Sequence, residues 1–481
     1  MILGLVLLAP TLFGGCDPTS ITLGGDTSPV EADTDTDTDT DTDTDTDTDT
    51  NTDTDTDTVV PVAESFTLTV HPEISTILVA RWNQLVAGDT SLYWEVDGER
   101  FSSPVRALAP GDATEVVLGL PADTDVTVTL NVGGSTLSAD AATDPLPRGL
   151  FDPTLTTWDP TEADPSPYLL TSVDMGANNF FGPCWVVLLD RAGRIVWYRQ
   201  VSDRRLTLFP RLARDGSHIL WDATTYYVAD SVPGSITRAT LSLSQEVETE
   251  VDGIGFTYDE LDDGSFLFDY AETDYDYHLE RQYPDGTRAR IWSCAPWMDS
   301  FNAGYWACAA NTVHWDPDSN VVVWSMFQTS TAVGIDLATG ELLWELGEYP
   351  GGLTFDPASV RLELQHYPNW TPDGTLLLTT HVPGERGVQR IRELDLDLGA
   401  GTARQTWTYT PAAGYYGDYA GEATRLPNGN TLVNFGTDGV VQEILTNASP
   451  EATIVWEIDW DNHLAGHLTP VEDLYALNGG W

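Results

Sequence analysis

The sequence predicts an all-β chain: a six-bladed β-propeller preceded by a small β-sandwich and an Asp-Thr tether. Three observations predict it. A turn-and-strand phrase recurs as ARDGSHIL at Ala213–Leu220, LDDGSFLF at Leu261–Phe268, TPDGTLLL at Thr371–Leu378 and LPNGNTLV at Leu426–Val433. A second phrase alternates with it, an acidic residue, then Gly, then an apolar run closing on Trp: DRAGRIVW at Asp190–Trp197, DLATGELLW at Asp336–Trp344, and the shorter IVW at Ile454–Trp456. The spacing of the copies is irregular but mostly about 40–55 residues, the range of propeller blades.

Composition narrows the function. Lys and Arg total 21 against 75 Asp and Glu, a formal net charge of −54. Such a surface repels phosphates, so nucleic acid is excluded as a partner, and binding to anionic lipid through protein charge is disfavoured. Any anionic substrate needs a local cationic pocket.

At the N-terminus, Ile2–Phe13 is an apolar run of signal-peptide length, too short to span a bilayer as a mature helix. It ends in Leu12-Phe13-Gly14-Gly15-Cys16, which resembles a bacterial lipobox. That resemblance implies removal of residues 1–15, lipidation of Cys16, and export to the cell envelope, with the membrane reached only through the lipid. Phe13 stands where the pattern usually has Leu, and no Lys or Arg precedes the run. Residues 16–58 form the linker, with alternating Asp and Thr from Asp33 to Thr58. The tract has nothing apolar to bury and its charges repel, so an extended, disordered tether is expected.

Residues 59–147 alternate in short strands: Ile77–Trp82, Ser91–Val96, Thr114–Leu118 and Asp125–Val132. Trp82 on an early strand and GLPADTDVTVTL at Gly119–Leu130 resemble a fibronectin type III domain, with Val126 in place of the usual corner Tyr. His71 reads as a surface residue. DPLPR at Asp144–Arg148 marks the boundary, and the propeller takes residues 148–481. Its six units include Trp185–Arg199, Phe209–Leu243, Phe256–Trp292, Asn311–Leu346, Leu364–Tyr409 and Ala423–Ile458, and His467–Tyr475 is expected to return and close the ring on the first. Cys294 and Cys308 bracket an insertion between the third and fourth units and are expected to pair, leaving Cys184 free.

Only one copy of the turn phrase carries His directly after Gln in its lead-in, Gln365-His366. With NTVHWDPDSNVVVWSM at Asn311–Met326, GIDLATGELLWELG at Gly334–Gly347, RIRELDLD at Arg390–Asp397 and GEATRLPNGNTLVNFG at Gly421–Gly436, this run resembles the bacterial arylsulfotransferases from about residue 300 onward. The resemblance implies a six-bladed propeller that moves a sulfuryl group from a phenolic sulfate to a phenol acceptor. It implies His366 as nucleophile, with Asn311 and Arg390 assisting at the sulfate, and neither cofactor nor metal. An imidazole nucleophile splits the transfer into two steps through a sulfo-histidine, and the sulfate oxygens call for fixed donors. Three positions depart from the pattern. Ala309 stands where the family has the His of its His-x-Asn motif, Phe327 where it has Arg, and Phe256-Thr257 where it has a paired His. His314 is shifted by a strand step and needs a bulge to substitute.

The bland readings stand beside these. His366 can simply pack and bond to backbone, and Arg390 can pair with Asp395 or Glu393. His381, His463 and His467 lack convincing metal-ligand spacing. Asp316-Pro317-Asp318 and Asp395–Asp397 lack a full calcium loop. The rival function is a non-catalytic surface propeller that binds a ligand or protein. A quinone-dependent dehydrogenase fits less well, since those propellers usually repeat eight times.

Overall fold

The computed structural model describes residues 61–176, 182–201, 205–224, 234–271, 277–297, 308–347, 351–381, 388–446 and 452–478. The leader, Cys16 and the tether lie outside these.

The regular structure of the described chain is almost entirely strand, and its long C-terminal part is a β-propeller. It begins with β1 (Ala63–Val70), β2 (Leu78–Gln84), β3 (Gly88–Val96), β4 (Glu99–Ser102), β5 (Arg106–Leu108), β6 (Gly111–Val117), β7 (Asp125–Val132) and β8 (Ser135–Ala142). One sheet has the order β1-β2-β6, the other β4-β3-β7-β8 with β5 on β3. Burial along β7 alternates residue by residue, as a strand with one covered face requires. Its inward Val126, Val128 and Leu130 share a core with Trp82, Trp94 and Leu78. His71 is not a free surface residue. Its Nδ1 accepts the amides of Glu73 and Ile74, so the proton sits on Nε2, which donates to the Ser242 carbonyl at 3.2 Å and ties this module to the propeller.

β9 (Thr154–Trp158) follows, then β10 (Tyr168–Asp174), β11 (Cys184–Asp190) and β12 (Ile195–Gln200). Next come sheets of four: β13 (Arg211–Leu212), β14 (Ile219–Ala223), β15 (Gly234–Ala239) and β16 (Glu246–Val251); β17 (Ile254–Glu260), β18 (Phe266–Ala271), β19 (Tyr277–Gln282) and β20 (Arg288–Ser293); β21 (Ala310–Asp316), β22 (Val321–Met326), β23 (Thr331–Asp336) and β24 (Leu342–Leu346). β25 (Thr354–Asp356) then adds in parallel to β29 (Thr402–Tyr409), outside β26 (His366–Trp370), β27 (Leu376–His381) and β28 (Gln389–Asp397). β30 (Gly421–Arg425), β31 (Thr431–Phe435), β32 (Val440–Ile444) and β33 (Ile454–Asp459) end the series, before β34 (Leu464–Ala465) and β35 (Thr469–Val471).

The ring closes twice. β9 leaves its own neighbours to pair with β33, and β34 and β35 pair with β10 as the innermost strand of the first sheet. The expected return of the 467–475 segment is therefore present. The local phrases explain the regularity. In each copy the Gly of the turn donates its amide to the carbonyl three residues back: Gly216 to Ala213, Gly264 to Leu261, Gly374 to Thr371, Gly429 to Leu426, at 2.8–2.9 Å. Gly374 holds φ 76, a conformation costly for any residue with a Cβ. The closing Trp residues clasp neighbouring sheets. Trp197 Nε1 donates to the Leu241 carbonyl and Trp456 Nε1 to that of Arg191, each at 2.8 Å. Cys294 and Cys308 form a disulfide with Cα atoms 6.2 Å apart, and Cys184 is free and buried.

Candidate functional site

The inner strands meet around the propeller axis, and a small cavity lies where they converge. Its walls are Leu208 and Phe209 just before β13, Phe256 of β17, Asn311 and Thr312 of β21, His366 and Tyr367 of β26, Ala420 to Glu422 at β30, and His467 between β34 and β35. Every sheet of the ring contributes, at a repeated position. The residue facing that position from the second strand anchors the inner one. Asp222 Oδ1 accepts the amides of Leu208 and Phe209, Asp269 Oδ1 those of Phe256 and Thr257, and Thr379 Oγ1 reaches the His366 carbonyl.

Two bulges decide what faces the cavity. In β21, Ala310 pairs with Met326 and Thr312 with Ser325, so Asn311 is the extra residue. In β26, His366 pairs with Thr379 and Asn369 with Leu377. A bulge turns consecutive side chains toward one side, which is why His366 and Tyr367 both line the cavity. Tyr367 holds φ 45, which is uncommon and unfavourable for an aromatic residue. Thr312 Oγ1 accepts its amide at 3.1 Å and Asn369 Nδ2 donates to its carbonyl at 3.0 Å, and these bonds hold it there.

His366 is buried, and Nδ1 donates to the Leu364 carbonyl at 2.9 Å. That bond leaves the lone pair on Nε2, which has no hydrogen-bond partner among the described residues. Burial, with a smaller contribution from His381, pushes the imidazole down to about 3, so it is neutral at pH 7. Asn311 Nδ2 donates to the Gln365 carbonyl at 2.7 Å, while Asn311 Oδ1 is buried without a partner. Gln365 is pinned in turn, its amide nitrogen lying 2.9–3.1 Å from Thr331 O, Met326 O and Ser325 Oγ. His366 and Asn311 are thus brought together.

Arg390 is not at the cavity. Its Nε donates to Thr410 Oγ1 at 2.9 Å near the surface, while Asp395 and Glu393 take Arg404 and Arg425 instead. Arg392 is buried with Gln405 as its partner, and burial followed by repulsion from Arg390 lowers it to about 10. Two of the departures face the site. Phe256 lines the cavity, and the Phe327 ring lies over His366, centroids 6.2 Å apart. Ala309 is wholly buried in the core beside Cys308.

His314 gains from the bulge at Asn311. It shares the Thr312 face, with Nδ1 3.4 Å from Asp259 Oδ2 and its ring 6.1 Å from Tyr367. Asp259 also takes buried Arg211 at 2.6 Å. A second polar chain reaches the cavity from the closing segment. Glu422 Oε2 accepts His467 Nδ1 at 2.9 Å, and His467 Nε2 lies 3.4 Å from the Tyr367 hydroxyl. Sequence reasoning missed Tyr367, Glu422 and His467. Glu422 lies in the GEATRLPNGNTLVNFG run and His467 begins the segment expected to close the ring, but neither is singled out there as a site residue.

Among the described residues no three metal-ligating side chains converge. The Asp316 carboxylate caps its own turn at Asp318 and Ser319, and Asp397 does the same at Ala400. The cavity holds little more than one water-sized group.

No protein-family model and no curated protein matches the chain. Its fold resembles a periplasmic gluconolactonase of Pseudomonas aeruginosa, at TM-score 0.39 and 12% identity over 72% of this chain and 94% of that one. It also resembles a catalytically inactive virginiamycin B lyase of Staphylococcus aureus solved with quinupristin, at TM-score 0.39 and 12% identity over 66% and 98%. A protein of Lactobacillus plantarum gives TM-score 0.40 at 10% identity over 79% and 99%. These likenesses are too distant to carry a function.

Proposed function

We propose that the chain is an arylsulfotransferase-like enzyme of six blades, carried behind a fibronectin type III-like module, in which His366 takes a sulfuryl group from a phenolic sulfate and passes it to a phenol. The observation that carries this reading is the bond from His366 Nδ1 to the Leu364 carbonyl. It fixes a neutral ring with its Nε2 lone pair unused by any described residue, beside the Asn311 amide. A nucleophilic imidazole needs that tautomer. The repeated contribution of each inner strand to one cavity supports the six-blade count. Arg390 has no part in the step, because its side chain is bonded elsewhere.

The narrowness of the cavity bears on the chemistry. An aryl sulfate reaches Nε2 only if side chains around the cavity move, so slow turnover is expected. The same narrowness favours a second reading, a non-catalytic surface propeller with a partner on its rim. Incubation with phenyl sulfate and a phenol acceptor separates the two. Phenol release by the wild type, lost in His366→Ala, supports transfer. No release across several donors supports binding.

The anchoring proposal rests on sequence alone: Cys16 carries lipid and the Asp-Thr tract spaces the folded part from the envelope. Cys16→Ser should move the protein from the membrane to the soluble fraction; unchanged membrane association without lipid label would sink it.

A further inference from the structure

We infer that Glu422 and His467 form an acid–base pair serving His366, with His467 exchanging the phenolic proton and Glu422 holding it in place. This rests on the transfer reading above. The pair is built rather than incidental. Glu422 is 2% exposed at its side chain and His467 10%, and both line the cavity that His366 lines. Glu422 Oε2 accepts the backbone amide of Leu468 at 3.1 Å as well as His467 Nδ1, and Oε1 accepts Thr424 Oγ1 at 2.9 Å. These donors suit an ionised carboxylate. With Nδ1–H committed to Glu422, the proton that His467 can gain or lose is the one on Nε2, which points to the Tyr367 hydroxyl across 3.4 Å. The His467 amide donates to the Leu208 carbonyl at 2.7 Å, and Gly466 is seated where a Cβ would meet Ser172 Oγ at 2.1 Å, so the ring closure fixes the imidazole.

The steps balance. In the first, His366 Nε2 attacks sulfur, the S–O bond breaks, and its electron pair leaves on the phenolate oxygen, which takes the Nε2 proton of the His467 imidazolium. In the second, an acceptor phenol returns a proton to His467 Nε2 as its oxygen attacks sulfur. The S–N bond breaks and the pair goes back to His366. Glu422 faces the imidazolium before the first step and after the second; in between, His467 is the neutral imidazole that accepts the acceptor's proton, its Nδ1–H still held by Glu422. The Nε2–H of His467 also offers the bound ester a hydrogen-bond donor, which Arg390, bonded to Thr410, does not.

The test compares the wild type, His467→Asn and Glu422→Gln for first-turnover phenol release from phenyl sulfate and from 4-nitrophenyl sulfate, whose phenolate is the weaker base. An acid matters most for the poorer leaving group. His467→Asn should lose about 10²-fold or more on phenyl sulfate and less than ~10-fold on the nitrophenyl ester. Glu422→Gln, which keeps the shape but not the charge, should show the same selectivity to a smaller degree. Circular dichroism and melting of each variant check folding. Equal losses on both esters in a folded His467→Asn overturn the pair and leave His366 standing. Release that survives His366→Ala, or none from the wild type, overturns the transfer reading and the pair with it.

Discussion

His366 donates its Nδ1 hydrogen to the carbonyl of Leu364, two residues back, at 2.9 Å. A short local bond of this kind does two things at once. It fixes the tautomer, and it satisfies the one ring donor that burial would otherwise strand.

Neutrality of that ring is the first testable consequence. Burial, then His381, hold it at about 3, so its ring resonances should stay flat from pH 8 down to pH 5 in a nuclear magnetic resonance titration. The sign for stability follows. Above the unfolded value of ~6.5 the neutral ring carries no penalty. As pH falls from there toward 3 the unfolded chain takes up the proton first, and stability declines. A resonance that titrates near 6.5 in the folded protein would show that the ring is not sealed as described.

Asp269 gives the opposite slope. Burial pushes its carboxyl up to about 8 although Oδ1 accepts the amides of Phe256 and Thr257. Its folded value lies above the unfolded ~3.9, so its contribution is complete below about pH 4 and is lost as pH rises through 8. Asp269→Asn keeps the acceptor and cannot ionise. Its stability should match the wild type near pH 5 and exceed it at pH 9 in denaturant melts. Parallel pH profiles for the two proteins would refute this.

How much of this was legible beforehand depends on the range of the interaction. The Asp-Gly turn at Gly374 and the Trp at position 197 are local signals, and the structure repeats them as read. The pairing of Cys294 with Cys308 was legible because it closes a short loop. The capture of β9 by β33 and the parallel β25 were not, because sheet edges are chosen by distant partners. At the site, the bulge at Asn311 and the one between His366 and Asn369 were invisible in alternation patterns, and they set how Asn311, Thr312, His366 and Tyr367 face the cavity. That is why Tyr367 was missed; Arg390 was carried over from the resemblance, and its side chain bonds to Thr410 away from the cavity.

The Arg211–Asp259 pair at 2.6 Å should behave as a buried ion pair. Burial alone would raise Asp259, but Arg211, His314 and Arg214 outweigh it and hold the carboxylate well below its usual range. The stability it brings is present above the unfolded ~3.9 and lost as pH falls below it. Asp259→Ala strands the guanidinium, whose Nε and Nη2 already lack partners, and should cost about 3–5 kcal/mol. The double variant Asp259→Leu with Arg211→Met should recover most of that. A loss under about 1 kcal/mol in Asp259→Ala, from denaturant midpoints, would mean that water already serves Arg211.

Phe327 offers the most direct probe of the transfer reading. Its ring lies over His366, centroids 6.2 Å apart, at the position where the resemblance expects an Arg. The cavity beside it has no basic side chain other than His366 and His467 among its lining residues. Phe327 is only half-buried, so an Arg there can keep part of its guanidinium hydrated and costs less than a fully buried charge. It would stand next to the atom that receives the sulfuryl group, where a fixed cation acts on the developing charge. Phe327→Arg should therefore raise phenol release from phenyl sulfate by on the order of 10²-fold, the scale seen when one such group is removed. The gain should vanish in the double variant with His366→Ala. A folded Phe327→Arg with wild-type turnover, or a gain that survives the loss of His366, would place the chemistry elsewhere.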